Sequence, residues 1–352
     1  MNFTIRDAVP GDSEKLIKLT NLSPMKGAIG LRIDRNPNFF SLLELSESYI
    51  LLIAENKENE IIGSFAATKN QLYIMGKQTI AYYLRDLKIH PYKKDLPIAY
   101  MLVKKMYERL KSINADILYC TAAAGNNAVI PFFEGRSGIP SFVNVSNFNV
   151  YELLPKANRS EAAVLMKSNA SAGEFISSEY SKKYAVYPTG LTNDINSNNS
   201  INVADEENGK INAFINGFNP SAYKQNIVTS YSFAIRLLLS ALRFLKLFLP
   251  FAPLPKKNEP LKILYVRYYA YAQNRKKEFV RLLKSLCCYA YKKQYHFVSI
   301  AVDEKDVAVN KIIKPLSKFV FKSSLMMTSL NNNEKLLQQV KAGILFEDYA
   351  LV

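Results

Sequence analysis

The sequence predicts an α/β fold of the α+β type in two lobes, each a sheet flanked by helices. Residues 49–54 and 61–67 read as two strands joined by a polar hairpin turn. A strand, a basic turn and an amphipathic helix follow over 82–110. The same order of elements returns in the second half of the 352-residue chain. Repetition on this scale indicates a duplicated fold, and the length allows two cores.

The first forty residues open this pattern. Residues 2–8 alternate as a strand, and a Pro-Gly-Asp-Ser turn leads into a helix over 14–22. Residues 24–40 predict a glycine-bearing turn followed by a helix. Four side chains there would shape an acceptor pocket, although buried aromatics and surface arginines explain them equally well: Arg32, Arg35, Phe39 and Phe40.

The stretch over 82–110 carries the candidate ligand site. Its strand places three apolar residues on one face, Tyr83, Leu87 and Ile89, and two charged residues on the other, Asp86 and Lys88. Apolar residues then recur at three- and four-residue spacing, so a helix begins near Pro97. Proline suits that position because its missing N–H has no intrahelical acceptor. A helix start binds phosphate when free N–H groups face the anion.

This stretch resembles the acetyl-CoA-binding segment of the GNAT (GCN5-related N-acetyltransferase) superfamily. Residues 89–91, Ile-His-Pro, match the family's hydrophobic-His/Asp-Pro corner, and Lys94 stands where the family has Arg or Gln. Asp95 and Pro97 replace family glycines, and both oppose anion binding, through charge and through loss of a donor N–H respectively. The resemblance implies that the turn binds the pyrophosphate of coenzyme A. A solvated basic turn in an ordinary βα unit is the alternative.

The resemblance covers the rest of the first half. The opening I-R-D-A-V-P-G-D is similar to the usual family start. Asn126 or Asn127 fits the family's helix opening beside the pantetheine arm. At the family's usual general-acid tyrosine this chain has Phe132 and Phe133, and neither can donate a proton. A tandem GNAT-like protein of undefined substrate is implied, with a mixed, mostly antiparallel, twisted sheet in each lobe.

The repeat sets the expected domain boundary. Residues 203–214 repeat the strand, acidic turn and strand of 53–64, and 261–319 repeat 82–133 about 180 residues later. Within the second copy, 307–319 is read as a helix, whereas 193–208 is read as a polar loop.

Two domains are therefore expected. Residues 1–155 would form a GNAT acyltransferase-like domain and 156–352 a second, degenerate GNAT-like domain with a hydrophobic helical insert at about 231–260. The second turn, 272–277, has neither the glycine nor the proline corner, so this domain is expected to have a structural or substrate-shaping role.

The insert has a wide apolar helical face and a narrow polar stripe. Its three charges within 233–249 argue against a spanning helix. Three interpretations remain: packing between the lobes, peripheral contact with an anionic membrane, and a dimer contact. The oligomeric state is not predicted.

The formal net charge of +16 admits nucleic acid, an anionic membrane or a polyanionic cofactor as partner. The lysines are scattered and no nucleic-acid-binding motif accompanies them, so no specific nucleic acid is expected. A solvated basic surface explains the same charge.

Three cysteines and two histidines have no metal-ligand spacing, so no metal is expected. Because the cysteine count is odd and residues 1–12 have no charged-then-apolar leader, a cytoplasmic protein is expected.

The expected function is transfer of an acetyl group from acetyl-CoA to an amine. Asp86 is the candidate base and Glu134 the second choice, while Tyr92 or water would protonate the departing thiolate. The cofactor-binding residues implied are Leu87, Lys88, Ile89, Lys94, Asp95, Leu96, Ile98, Ala99, Asn126, Asn127 and Phe132. The alternative is a catalytically inactive GNAT-like module that binds acyl-CoA, a membrane surface or a partner.

Overall fold

The computed structural model describes residues 3–22, 24, 29–93, 97–126, 130–135, 139–157, 165–166, 170–233, 235–237, 239–240 and 253–352. In the first half the strands are β1 (Phe3–Asp7), β2 (Ile29–Asp34), β3 (Ser48–Asn56), β4 (Ile61–Ile74), β5 (Lys77–Ile89), β6 (Ile117–Ala123) and β7 (Val143–Leu153). The helices there are α1 (Ser13–Asn21), α2 (Ile98–Ser112) and α3 (Ile130–Phe133).

The second half follows a similar order. Its strands are β8 (Leu165–Met166), β9 (Tyr184–Pro188), β10 (Ser200–Glu207), β11 (Lys210–Phe218), β12 (Gln225–Tyr231), β13 (Ile263–Tyr271), β14 (Phe297–Asp303), β15 (Ser317–Ser329) and β16 (Ile344–Leu345). Its helices are α4 (Ala170–Lys183), α5 (Leu191–Ile195), α6 (Lys276–Lys292), α7 (Val307–Ile313) and α8 (Glu334–Ala342).

One large sheet runs through both halves in the order β1-β3-β4-β5-β6-β15-β7-β14-β13-β11-β10-β8. Neighbours are mostly antiparallel, with parallel pairing between β5 and β6 and between β13 and β14. Helices α2 and α6 pack on its first and second halves. The predicted α+β fold with two sheet-and-helix lobes is confirmed.

The two lobes exchange their last long strands. Strand β15 of the second half lies between β6 and β7, while β7 of the first half lies between β15 and β14. The expected boundary at 155–156 falls in the connection between β7 and β8. Each lobe therefore contributes one strand to the sheet of the other lobe, and a continuous hydrogen-bonded sheet joins the two lobes.

A second, two-stranded sheet also links the halves. Strands β2 and β12 pair antiparallel, with Ile227 opposite Arg32. Their apolar side chains pack with Tyr349 and Leu351 near the end of the chain. The polypeptide before the apolar insert is thus anchored next to these C-terminal residues.

Three local predictions were wrong. The helix expected over 307–319 ends at Ile313, and a 3-10 helix (Lys314–Leu316) and β15 follow it. Pro315 in that 3-10 helix lacks a backbone N–H, so it cannot continue the hydrogen bonding of α7. The loop expected over 193–208 was wrong, because that range holds the end of α5 and all of β10, which is the first strand of the repeat expected over 203–214. Residues 24–40 contain β2, and the helix expected there is only a 3-10 helix that begins at Phe39.

These differences have a common cause. Strands β2, β10 and β15 each pair with a strand that is distant in the sequence, and local pattern does not predict such pairing. Strand formation depends on packing against such neighbours more than on the composition of the segment itself.

Candidate active site

A bulge in β5 sets the geometry of the site. Asp86 has a left-handed backbone with φ of 57°, and the β4–β5 register shifts between Ser64 and Ala66. An extra residue at a bulge reverses the side-chain alternation beyond it. Leu84 therefore packs with Leu87 in the core under α2. The predicted shared face for Tyr83, Leu87 and Ile89 was wrong for Tyr83, which lines a cavity on the other face.

Beyond Tyr83 a gap opens between two parallel strands, here called the first cleft. Strands β5 and β6 pair over Ala81–Tyr83 with Ile117–Tyr119. Both strands continue past that point without pairing to each other in the described residues. Helix α2 starts after β5, at the same edge of the sheet. Ligands of α/β sheets bind at such carboxyl ends of strands.

The structure brings some of the predicted cofactor residues together. Phe132 packs in the core that contains Ile98 and the neighbouring Leu87 and Ile89. Lys88 lies on β5 beside them, and Ala99 is half-buried in the first turn of α2. These residues surround the end of β5 and the start of α2.

Three other predicted residues are exposed to solvent. Tyr92 is 87% exposed, and Asn126 and Glu134 are also exposed. Lys94, Asp95, Leu96 and Asn127 lie outside the described residues.

The corresponding gap in the second lobe is filled with aromatic side chains. Strands β13 and β14 pair up to Val266 and Ile300 and then separate. The backbone N–H of Tyr269 donates to the Tyr180 hydroxyl at 3.2 Å. The ring centroid of Phe346 lies 4.8 Å from that of Tyr180. Tyr180, Tyr269 and Phe346 are all buried in the core of the second lobe.

A cavity of about 470 Å³, here called the central cavity, lies between the lobes. Its first-lobe wall includes Tyr83, Arg85 and Tyr119, which are at or next to the opening of the first cleft. Its second-lobe wall includes Arg267 and Asp348. The cavity therefore has charged groups from both lobes around one space.

A buried ion pair holds the bulge in place. The Arg35 side chain is 1% exposed, and its Nη2 lies 2.8 Å from both Asp86 carboxylate oxygens. Burial alone would raise the pKa of Asp86, but the positive charges of Arg35, Arg85 and Lys88 lower it below its usual value. Asp86 is therefore ionised and firmly held. Of the two explanations offered for Arg35, the surface arginine was wrong.

The arginines that line the central cavity differ in their partners. Arg267 has two carboxylates, with Nε 2.6 Å from Asp348 and Nη2 3.2 Å from Asp194. The Arg85 side chain is only 9% exposed, and its ion pair is the 3.4 Å contact with Asp86. No other described residue pairs with the Arg85 guanidinium by a hydrogen bond or salt bridge.

Glu347 lies where the first cleft meets the central cavity. Its Oε1 accepts a hydrogen bond from the Thr121 hydroxyl on β6, two residues beyond the last β5–β6 pair. Its Oε2 is buried and has no hydrogen-bond partner in the described structure. Burial, with a further contribution from Asp348, raises the pKa of Glu347 to about 7. A carboxyl group with that pKa can accept a proton at neutral pH.

Glu347, Asp348 and Arg85 were not among the site residues predicted from the sequence. Glu347 and Asp348 follow β16 near the end of the chain, more than 220 residues after Thr121 in the sequence. No local motif marks them. Strict alternation places Arg85 on the same face as Tyr83, Leu87 and Ile89. Only the bulge separates Tyr83 and Arg85 from the other two residues and places them on the face that lines the cavity.

Within the described residues, no cluster of three or more His, Cys, Asp or Glu side chains could hold a metal ion. No helix there is both long and apolar enough to cross a membrane.

Comparisons with known proteins agree with this architecture. No family model matches the sequence, and no curated protein matches it significantly. Saccharomyces cerevisiae N-myristoyltransferase with bound myristoyl-CoA superposes with a TM-score of 0.64 at 13% identity, over 93% of this chain and 82% of that chain. A GCN5-related N-acetyltransferase from Sphaerobacter thermophilus gives 0.57 at 10% identity, over 93% and 96%.

A third structure, a probable N-acyltransferase of unknown function from Enterococcus faecalis V583, gives a TM-score of 0.52 at 10% identity, over 93% of this chain and 72% of that chain. Identities this low show the fold alone. The chain has the GNAT-like fold that its sequence predicted.

Proposed function

We propose that the protein is an N-acyltransferase that transfers an acyl group from an acyl-CoA thioester to an amine in the central cavity. The observation that carries this proposal is the first cleft, which opens beside the start of α2 and leads into that cavity. The similar yeast protein is described with bound myristoyl-CoA. Acetyl-CoA is the donor expected from the sequence.

The first lobe would bind the thioester. Backbone N–H groups on the separated part of β5 would hold the carbonyl oxygen as negative charge develops. The proposed cofactor-binding residues are Leu87, Lys88, Ile89, Lys94, Asp95, Leu96, Ile98, Ala99, Asn126, Asn127 and Phe132. The second lobe, with its filled cleft, would shape the acceptor side of the cavity.

In the proposed reaction the amine attacks the thioester carbonyl, a C–N bond forms and the C–S bond breaks. Glu347 accepts the proton that the amine loses, and coenzyme A leaves as a thiolate that is protonated by Tyr92 or water. Asp86, the base expected from the sequence, has a lowered pKa and is bound by Arg35. Glu347 is therefore the better acceptor on physical grounds, and Glu134 is exposed.

Calorimetry and a thiol-release assay test the proposal together. We expect acetyl-CoA or a longer acyl-CoA to bind, and free thiol to appear when an amine panel is added. The Lys88→Gln variant should bind several-fold more weakly, while Lys105→Gln, on the exposed part of α2, should bind normally. Binding without thiol release would favour the inactive module. Absence of binding at millimolar acyl-CoA would contradict the acyltransferase proposal.

We also propose peripheral membrane contact through 233–249. Phe233 is 75% and Leu237 is 65% exposed, one helical turn apart. Residues 208–258 contain no Asp or Glu, so the surrounding sequence favours an anionic surface. Residues 234, 238 and 241–252 lie outside the described structure.

Vesicle flotation tests this contact. The protein should float with vesicles containing anionic lipid, and a Phe233→Ser, Leu237→Ser variant should remain in the dense fraction. The matched control, Val320→Ser with Phe321→Ser, removes two other exposed apolar side chains and should still float. Equal flotation of both variants would contradict the assignment.

A further inference from the structure

The central cavity contains an incompletely paired cation. The Arg85 side chain is nine-tenths buried, and its ion pair is the 3.4 Å contact to a carboxylate that Arg35 already holds at 2.8 Å. That contact is made by its Nε, which is buried and makes no hydrogen bond among the described residues. A buried guanidinium left in this state favours an anionic ligand, and a carboxylate fits its planar donors.

The same cavity contains unsatisfied acceptors. Glu347 Oε2 and Asp348 Oδ1 are buried and have no hydrogen-bond partner in the described structure. Both residues line the cavity with Arg85. Burial raises the pKa of the Tyr119 hydroxyl, and the charges of Glu347, Asp348 and Arg85 also act on it, so all three lie within electrostatic range of one cavity-lining group. Buried acceptors without donors favour a ligand that brings N–H groups.

One part of the remaining wall is apolar, while polar side chains such as Asn70 and Lys69 line another part. Leu72, Val186, Leu325, Met327 and Phe346 line the cavity beside these charged groups. A volume of about 470 Å³ accommodates a small molecule with an apolar side chain.

We infer that the acceptor is an α-amino acid with an apolar side chain, its carboxylate bound by Arg85 and its amino group near Glu347 and Asp348. The use of this amino acid as the acyl acceptor rests on the proposed function, whereas its binding in the cavity does not. A free carboxylate close to the amine distinguishes this acceptor from a simple amine.

Calorimetry without acyl-CoA tests the binding directly. The probes are L-leucine, 3-methylbutylamine, which lacks the carboxylate, and 4-methylpentanoate, which lacks the amine; L-phenylalanine, phenethylamine and 3-phenylpropionate form a second set. At least one amino acid should bind tenfold or more tightly than both of its analogues. The Arg85→Gln variant should lose this preference while binding the amine within about threefold of the original protein.

The control is Arg109→Gln, which removes an exposed arginine from α2 and should leave all affinities unchanged. Circular dichroism melts establish that each variant is folded. Equal binding of amino acid and amine by the original protein would overturn the inference without using any variant. Failure of the thiol-release assay with intact amino-acid binding would instead overturn the proposed reaction.

Discussion

Replacement of Glu347 by glutamine should lower kcat about 100- to 1,000-fold at pH 7, because removal of a positioned proton acceptor costs about this much. Binding of acyl-CoA should stay within about twofold. In the original protein kcat/KM should rise with pH through about 7, as the Glu347 carboxyl ionises. The variant should lack that rise. Initial rates of thiol release between about pH 5.5 and 8.5 provide the measurement.

Two further variants make the result specific. Thr121→Val removes the hydrogen bond that lowers the pKa of Glu347, so the rise should move to higher pH. Asp86→Asn tests the base expected from the sequence. If folded Asp86→Asn loses more activity than Glu347→Gln, the proton acceptor has been assigned to the wrong residue.

Replacement of Arg35 by methionine should lower the free energy of unfolding by about 3–5 kcal/mol at pH 7, because it leaves Asp86 buried without its principal partner. Urea unfolding followed by circular dichroism measures the difference. Arg109→Gln is the matched control, since its exposed 3.8 Å ion pair contributes little.

The pH dependence of this effect has a definite sign. The folded pKa of Asp86 is lowered, so its contribution to stability is present above its unfolded pKa and disappears as pH falls through the folded value. In Arg35→Met burial would raise that pKa. The loss of unfolding free energy in Arg35→Met should therefore be largest near neutral pH and shrink towards pH 4. An equal loss at pH 4 and pH 7 would show that lost packing, not the ion pair, is responsible.

Local sequence pattern was sufficient to predict the position of many helices and strands. The strand expected over 49–54 is observed at Ser48–Asn56, and the helix expected to begin near Pro97 begins at Ile98. The repeated strand, turn and strand are observed as β10 and β11. These patterns succeed because apolar spacing reports which face of an element is buried.

The strand order and the buried ion pair depend on contacts between residues that are far apart in the sequence. The exchange of β7 and β15 joins strands that are more than 150 residues apart in the chain. The order of strands in a sheet depends on which edges meet after folding, and no short segment encodes it. Arg35 illustrates the same point, since its partner Asp86 is 51 residues away.

The sequence by itself determined an α+β fold in two lobes, and it predicted a strand-turn-helix unit as the place where a phosphate-bearing ligand binds. The tertiary structure decided which copy keeps an open cleft, because aromatic rings fill the second one. It also placed Arg85 and Glu347 in one cavity, through a bulge at Asp86 and a chain segment that returns more than 220 residues later. These residues come together because segments distant in the sequence pack against each other, and residue spacing alone does not predict such packing.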